Sequence, residues 1–183
     1  MSKVIIFPTD TVYGIGTPIF DLDGIDRIYR IKNRSKDKPL ACLCSCLKQI
    51  EDISYVDNNA KKLINKFLPG GLTIILKAKK EIVDRIGYET IGIRIPNHAL
   101  ALEILNENGP MLTTSVNDSG HTPLNEYDEI VSKYSNLVEC IYNSKQPSSN
   151  ISSTVVRVVD GKVSILREGI ISKEEIEKEI NNV

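Results

Sequence analysis

The first apolar run of the chain, Val4-Ile5-Ile6-Phe7, is short, β-branched and unbroken, which is the pattern of a strand buried on both faces. Pro8 ends it by removing a backbone donor. The rhythm then changes: Ile25, Ile28 and Ile31 keep one side of a helix that Asp21 or Asp23 can start, and Leu40 to Cys46 returns to strand spacing. Behind Asp57 the positions Ala60, Leu63, Ile64, Phe67 and Leu68 follow an i, i+3, i+4, i+7, i+8 stripe, stopped by Pro69-Gly70-Gly71. The segments LTIILKA, TIGIRI, MLTTS, LVECIY, TVVRVV and VSILR read as strands and NHALALEILNEN as a helix. Asp160-Gly161 predicts a hairpin between the last two strands, and Ser172 with Glu175 forms a capping box for a closing helix. The polar, Pro-bearing stretch 143–152 has no period and reads as the mobile loop. Together the elements predict an α/β (mixed α+β) fold with a mixed sheet in one domain, residues 1–183.

Composition narrows the class of protein. With 183 residues, 41% hydrophobic and 26% charged, the chain suits one domain with an adequate core. The N-terminal apolar run is too short for a signal peptide, and no apolar segment approaches the roughly 18 residues of a membrane span, so a cytoplasmic protein away from the membrane is expected. Cys42, Cys44 and Cys46 alternate and would share one strand face, with Cys140 far off. They lack C-x-x-C spacing and read as small buried core residues, so no metal site is expected. A net charge of −1 carries no global nucleic-acid signal.

Local charge does carry a signal. In RIYRIKNRSKDKPL, six cations (Arg27, Arg30, Lys32, Arg34, Lys36, Lys38) are opposed only by Asp37. They either complement a helix C-terminus or form a polyphosphate site, where Lys supplies a point charge and Arg a planar fork. Three further polar clusters sit at strand ends: PTDTVYGIG after the first strand, TTSVN from Thr113 to Asn117, and SST from Ser152 to Thr154. Each alone reads as a turn or cap. His98 and His121 are the only histidines, and no Ser-His-Asp spacing appears.

Seven ordered blocks (PTDTVYGIG, IKNRSKDKPL, PGGLTIILKA, IGIRIP, TTSVNDSG, SSTVV and ILREG) resemble the YrdC family of threonylcarbamoyl-AMP synthases over nearly the whole chain. The resemblance implies a YrdC-like twisted mixed sheet with flanking helices around a concave basic cleft. It also implies condensation of L-threonine, bicarbonate and ATP, with Mg²⁺ on the nucleotide, to threonylcarbamoyl-AMP and pyrophosphate. Partner transferase proteins would then pass the group to tRNA. The family's K-x-R and S-x-N pairs fall on Lys32, Arg34, Ser115 and Asn117, implied as the catalytic tetrad. Lys32, Arg34, Lys38, Thr90, Ser115 and Arg167 are implied to hold ATP. Thr11, Arg94, Thr113 and Ser153 are implied to contact threonine, with Tyr13 shaping that pocket.

The chain departs from the family at several places. Leu43 stands where some members have a histidine near the threonine, and Arg157 where many have an aspartate. Parts of the middle, and the REG of residues 167–169, are also similar to the YciO-like branch. The alternative reading is therefore a YciO-like protein that binds tRNA or double-stranded RNA without this chemistry.

Overall fold

The computed structural model describes residues 2–144, 149 and 151–181; most of the 145–150 part of the loop expected to be mobile lies outside the described residues. The chain runs β1 (Ile5–Phe7), β2 (Gly14–Pro18), α1 (Leu22–Ile31), β3 (Ala41–Leu43), α2 (Leu47–Ile53), α3 (Asn58–Phe67), β4 (Leu72–Lys77) and α4 (Lys80–Ile86). It continues through β5 (Thr90–Arg94), α5 (Ala99–Asn108), β6 (Met111–Ser115), α6 (Tyr127–Tyr134), β7 (Cys140–Ile141), β8 (Thr154–Val159), β9 (Lys162–Arg167) and α7 (Lys173–Asn181). The strands form one mixed sheet in the order β7-β1-β2-β6-β3-β5-β4-β8-β9. The expected fold class is the one found.

Local signals act where they were read. Asp57 caps α3 by accepting from the Ala60 amide, and the Ser172 hydroxyl and Glu175 carboxylate exchange bonds with each other's amides. Asp160 and Gly161 both take positive φ, 50° and 74°, as a two-residue hairpin turn between β8 and β9 requires.

Two expectations need correcting. Gly14 to Gly16, the end of the PTDTVYGIG stretch read as a loop, belong to a full strand, Gly14–Pro18, between β1 and β6. Its glycines answer to a neighbour: a Cβ on Gly14 would lie 2.7 Å from Thr113 Cγ2, and one on Gly16 2.7 Å from Thr113 Oγ1. Thr113 therefore occupies the space two side chains would need, and Gly16→Ala is expected to cost about 1–3 kcal/mol by overpacking, measured by urea denaturation. The cysteines also differ, because the strand stops at Leu43: Cys42 and Cys44 are buried, but Cys46 stands exposed at the N-terminus of α2.

The sheet's two faces are covered unequally. Ile6, Ile15, Cys42, Ile74, Leu76, Ile91, Ile93, Val156 and Val158 join one large apolar cluster with residues of α1, α2, α3, α4, α6 and α7. On the opposite face α5 is the one described helix that lies over the sheet, where Ala101, Ile104 and Leu105 meet Ile5, Phe7, Leu43 and Met111. Beyond α5 no other described helix covers that second face, and strand alternation sets Gly14, Thr113, Ala41, Arg94, Thr73 and Val155 along it. This strip is the floor of the cleft. Among the described residues no helix is long and apolar enough to cross a membrane.

Candidate active site

The cleft has a volume of about 350 Å³. Its floor is the uncovered strip of the sheet, and its walls are the β1–β2 connection, the loop after α1, and the segments around Ser153 and Arg167. The β1–β2 connection folds on Thr9, whose Oγ1 donates to Val12 O at 2.7 Å and accepts from the amides of Thr11 and Val12. That turn buries the Thr11 hydroxyl against the next group along, Arg94.

Arg94 ends β5 on the floor and is 6% exposed. Its Nε donates to Gly70 O at 2.8 Å, Nη1 to Thr11 Oγ1 at 2.5 Å and Nη2 to Asp10 Oδ1 at 2.6 Å. Burial pulls its pKa down and Asp10 opposes this, so the guanidinium stays charged. Across the floor Thr73 Oγ1 and Ser153 Oγ share a hydrogen bond of 2.7 Å, and Arg167 Nη2 donates to Ser153 O at 2.8 Å. One end of the cleft thus gathers hydroxyls around a buried cation.

The other end is built by the way α1 stops. Asn33 takes φ 46°, its amide bonds to Arg30 O at 3.1 Å, and the Arg34 amide bonds to Tyr29 O at 2.9 Å. These are the two bonds of a Schellman motif with Asn as the left-handed residue. The turn sends the flanking cations in different directions. Arg34 comes to the cleft wall, its Nε and Nη2 donating to Lys38 O and Pro39 O at 3.0 and 3.2 Å. Lys32 goes inward and is 1% exposed.

Beneath the cleft, Lys32 Nζ donates to Ser115 O at 2.5 Å, Asn117 O at 2.6 Å and Asn117 Oδ1 at 2.9 Å. Asn117 Oδ1 also accepts from Ser115 Oγ at 2.7 Å, and its Nδ2 donates to His121 O at 2.5 Å. Burial, aided by the Arg34 charge and opposed by Asp118, lowers the Lys32 pKa to about 8.

Arg34, Ser115, Arg167, Thr11, Tyr13, Arg94, Thr113 and Ser153 all line this one cleft. Four other expected site residues do not. Lys32 and Asn117 are buried under the wall and tied to each other, because the Asn33 turn aims the lysine at the turn after β6. Lys38 is exposed and lends the cleft wall its carbonyl, which holds Arg34. Thr90 sits at the far end of β5, paired with Lys77, on the same sheet face as Arg94 but four residues away.

Some functional-looking groups gave little signal in the sequence. Asp10 read as a turn cap, Thr73 read only as part of the LTIILKA strand, and Asn125, which accepts from the Tyr13 amide at 3.0 Å, carried no signal at all. Among the described residues the cleft lining carries three arginines and no carboxylate. Among the described residues no group of three or more His, Cys, Asp or Glu could hold a metal ion.

An open mixed sheet with a basic cleft on its one uncovered face defines an α/β protein suited to an anionic ligand with a hydroxyl-lined end. The Sua5/YciO/YrdC family model, described as telomere recombination, matches residues 1–169, and the chain belongs to this family. It is 37% identical over 170 residues to a putative threonylcarbamoyl-AMP synthase of Methanocaldococcus jannaschii, covering 93% of this chain and 81% of the relative. Among solved structures, Sua5 of P. abyssi complexed with L-threonine superposes with a TM-score of 0.89 at 29% identity, over 99% of this chain and 54% of that one. YciO of E. coli superposes with a TM-score of 0.86 at 30% identity, over 96% and 87%. The chain therefore spans about half the length of the Sua5 protein.

Proposed function

We propose that the protein is a threonylcarbamoyl-AMP synthase, an enzyme that joins L-threonine, bicarbonate and ATP and so supplies the activated group for threonylcarbamoyladenosine in tRNA. The observation that carries this reading is the meeting, in one cleft, of the Arg94–Thr11–Ser153 cluster with Arg34 and Arg167. It is supported by the named activity of the relative and by the threonine that the Sua5 structure holds.

In the proposed reaction, the deprotonated amine of threonine adds to CO₂ drawn from bicarbonate, forming a C–N bond and a carbamate. A carbamate oxygen then attacks the α-phosphorus of ATP, the bond to the bridging oxygen breaks, and pyrophosphate leaves. Such a step needs positioning and charge neutralisation rather than a protein nucleophile. Arg94, helped by Thr11, Thr113 and Ser153, would take the amino-acid carboxylate and hydroxyl, with Tyr13 closing that end. Arg34, Arg167 and the Ser115 hydroxyl would face the phosphates.

The nucleoside would extend along the uncovered face past Gly92 towards Thr90, with Lys38 at the mouth. Lys32 and Asn117 would act from below by fixing the Ser115 turn. With no carboxylate on the cleft wall, Mg²⁺ would arrive as part of the MgATP substrate. The product would pass to transferase proteins acting on tRNA in the cytoplasm.

Incubation with ATP, Mg²⁺, bicarbonate and each amino acid in turn, followed by mass analysis of adenylates, tests the reading. Pyrophosphate release should require both threonine and bicarbonate; equal release with ATP alone overturns it. So would retention of ATP-independent RNA binding with no adenylate formed, which is the outcome for a YciO-like RNA binder.

Leu43 makes a second expectation. It is 5% exposed, packed with Phe7 and Met111, and borders the cleft beside Arg94 without offering a hydrogen bond. If threonine is distinguished from serine here by a methyl group alone, the gap is worth about 1–3 kcal/mol, or roughly 10- to 200-fold. Serine adenylate should therefore be detectable, with kcat/KM lower by that factor. A ratio above about a thousandfold would point to a hydrogen-bonded side-chain pocket instead.

A further inference from the structure

Asp10 lies behind the cleft wall rather than on it. Its neighbours Thr9 and Thr11 line the cleft, whereas its own carboxylate turns to Arg94 Nη2 at 2.6 Å and the Asn97 amide at 3.0 Å. Both partners of the ion pair are largely withdrawn from water, with side-chain exposures of 7% for Arg94 and 18% for Asp10. Gly70 O and Thr11 Oγ1 hold the guanidinium at two further nitrogen atoms, so all three nitrogens are fixed by the protein. A guanidinium has five N–H groups. Three are taken by described residues, which leaves two for a ligand.

We propose that Asp10 is a positioning residue, which orients the Arg94 guanidinium so that its two free N–H groups meet the carboxylate of an α-amino acid. The inference rests on the amino-acid reading of this end of the cleft. Without Asp10 the rigid plane would be held at two nitrogens instead of three, by the neutral acceptors Gly70 O and Thr11 Oγ1, and could tilt about the line joining them. A planar fork recognises a carboxylate by direction as well as charge, so loss of that constraint falls on binding. Asn97 ties the same carboxylate to the segment that enters α5. His98, which caps α5 by accepting the Ala101 amide, is the titratable group beside this pair: burial lowers its pKa and the Asp10 carboxylate opposes that.

Asp10→Asn keeps a carbonyl oxygen for both partners and removes only the charge. It is expected to raise the KM for threonine about 10- to 100-fold, at saturating ATP and bicarbonate, with kcat changed by less than about threefold. In an Arg94→Ala background the same substitution should change the threonine KM by less than about twofold, because a residue acting through Arg94 has nothing left to act on. Asp10→Glu, which retains the charge but displaces it, should raise KM in the same way and serves if Asp10→Asn does not fold.

A folded variant with parental KM overturns the proposal, as does a loss of kcat at constant KM or an equal loss in both backgrounds. If the parent itself shows no threonine-dependent pyrophosphate release, the functional reading fails, and the positioning role is decided by NMR of the Arg94 side chain. Its ¹⁵N–¹H signals should be slow to exchange with solvent in the parent and at least about tenfold faster in Asp10→Asn. Unchanged exchange overturns the role.

Discussion

Lys32→Met is expected to melt well below the parent, although methionine matches the lysine stem in length. The substitution leaves Ser115 O, Asn117 O and Asn117 Oδ1 facing a buried apolar group. Asn117 Oδ1 keeps its bond from Ser115 Oγ, but the two carbonyls lose their lysine donor at about 1–3 kcal/mol each, so a total of about 2 kcal/mol or more is expected, which lowers Tm by roughly 4–8 °C in a chain of this size. A lysine that reached into the cleft for phosphate would leave the melt unchanged when removed.

The pH dependence carries its own sign. The native ammonium titrates at about 8 and the unfolded one at its ordinary value of 10.5. Below pH 8 both states hold the proton. Between 8 and 10.5 the unfolded chain binds a proton that the native state does not, so this group makes unfolding harder as pH rises, by about 1.4 kcal/mol per unit. Urea unfolding at pH 8, 9 and 10 should show the parent gaining on Lys32→Met by that slope. A gap that stays constant across the window would mean that Lys32 keeps an ordinary pKa.

What the sequence revealed follows from how local each signal is. The Asp57 cap, the Ser172–Glu175 box and the Asp160-Gly161 turn depend on neighbours within four residues, and all three are present as read. Gly14 to Gly16 looked like loop because glycine weighs against a strand. The reason those glycines belong there is Thr113, about a hundred residues away. The candidate site shows the same division. Motif residues were the right kind to gather in one cleft, but direction was not legible: K-N-R spacing alone does not reveal that a left-handed Asn33 sends Lys32 inward and Arg34 outward. Asp10 was readable as a polar turn residue; its partner Arg94 is 84 positions on. Tertiary pairing decides such cases, and a single sequence carries it only through a family pattern.

Arg34→Ala is expected to cost activity while sparing the fold. Arg34 is half-buried on the cleft wall, and its side-chain bonds to described residues go to the carbonyls of Lys38 and Pro39 in the same loop. That loop has other ties: Tyr29 Oη donates to Lys38 O at 3.2 Å, Lys36 Nζ pairs with Asp26 at 2.7 Å, and Tyr88 Oη donates to Lys36 O. Losing the arginine should therefore shift stability by no more than about 1 kcal/mol. Nη1 makes no bond to a described residue, and with the loss of its contact to phosphate a charge-assisted bond worth roughly 1.5–3 kcal/mol disappears, lowering kcat/KM for ATP on the order of 10- to 100-fold. Arg34→Lys keeps the charge and loses the planar fork, so it should recover only part of this. MgATP raises the melting temperature of any form that binds it, and Arg34→Ala should lose most of that rise while its ligand-free melt stays with the parent. A variant that keeps both the MgATP-induced rise and the parental rate of pyrophosphate release would reduce Arg34 to a clamp on its own loop, and would place the phosphate contacts on Arg167 and Ser115.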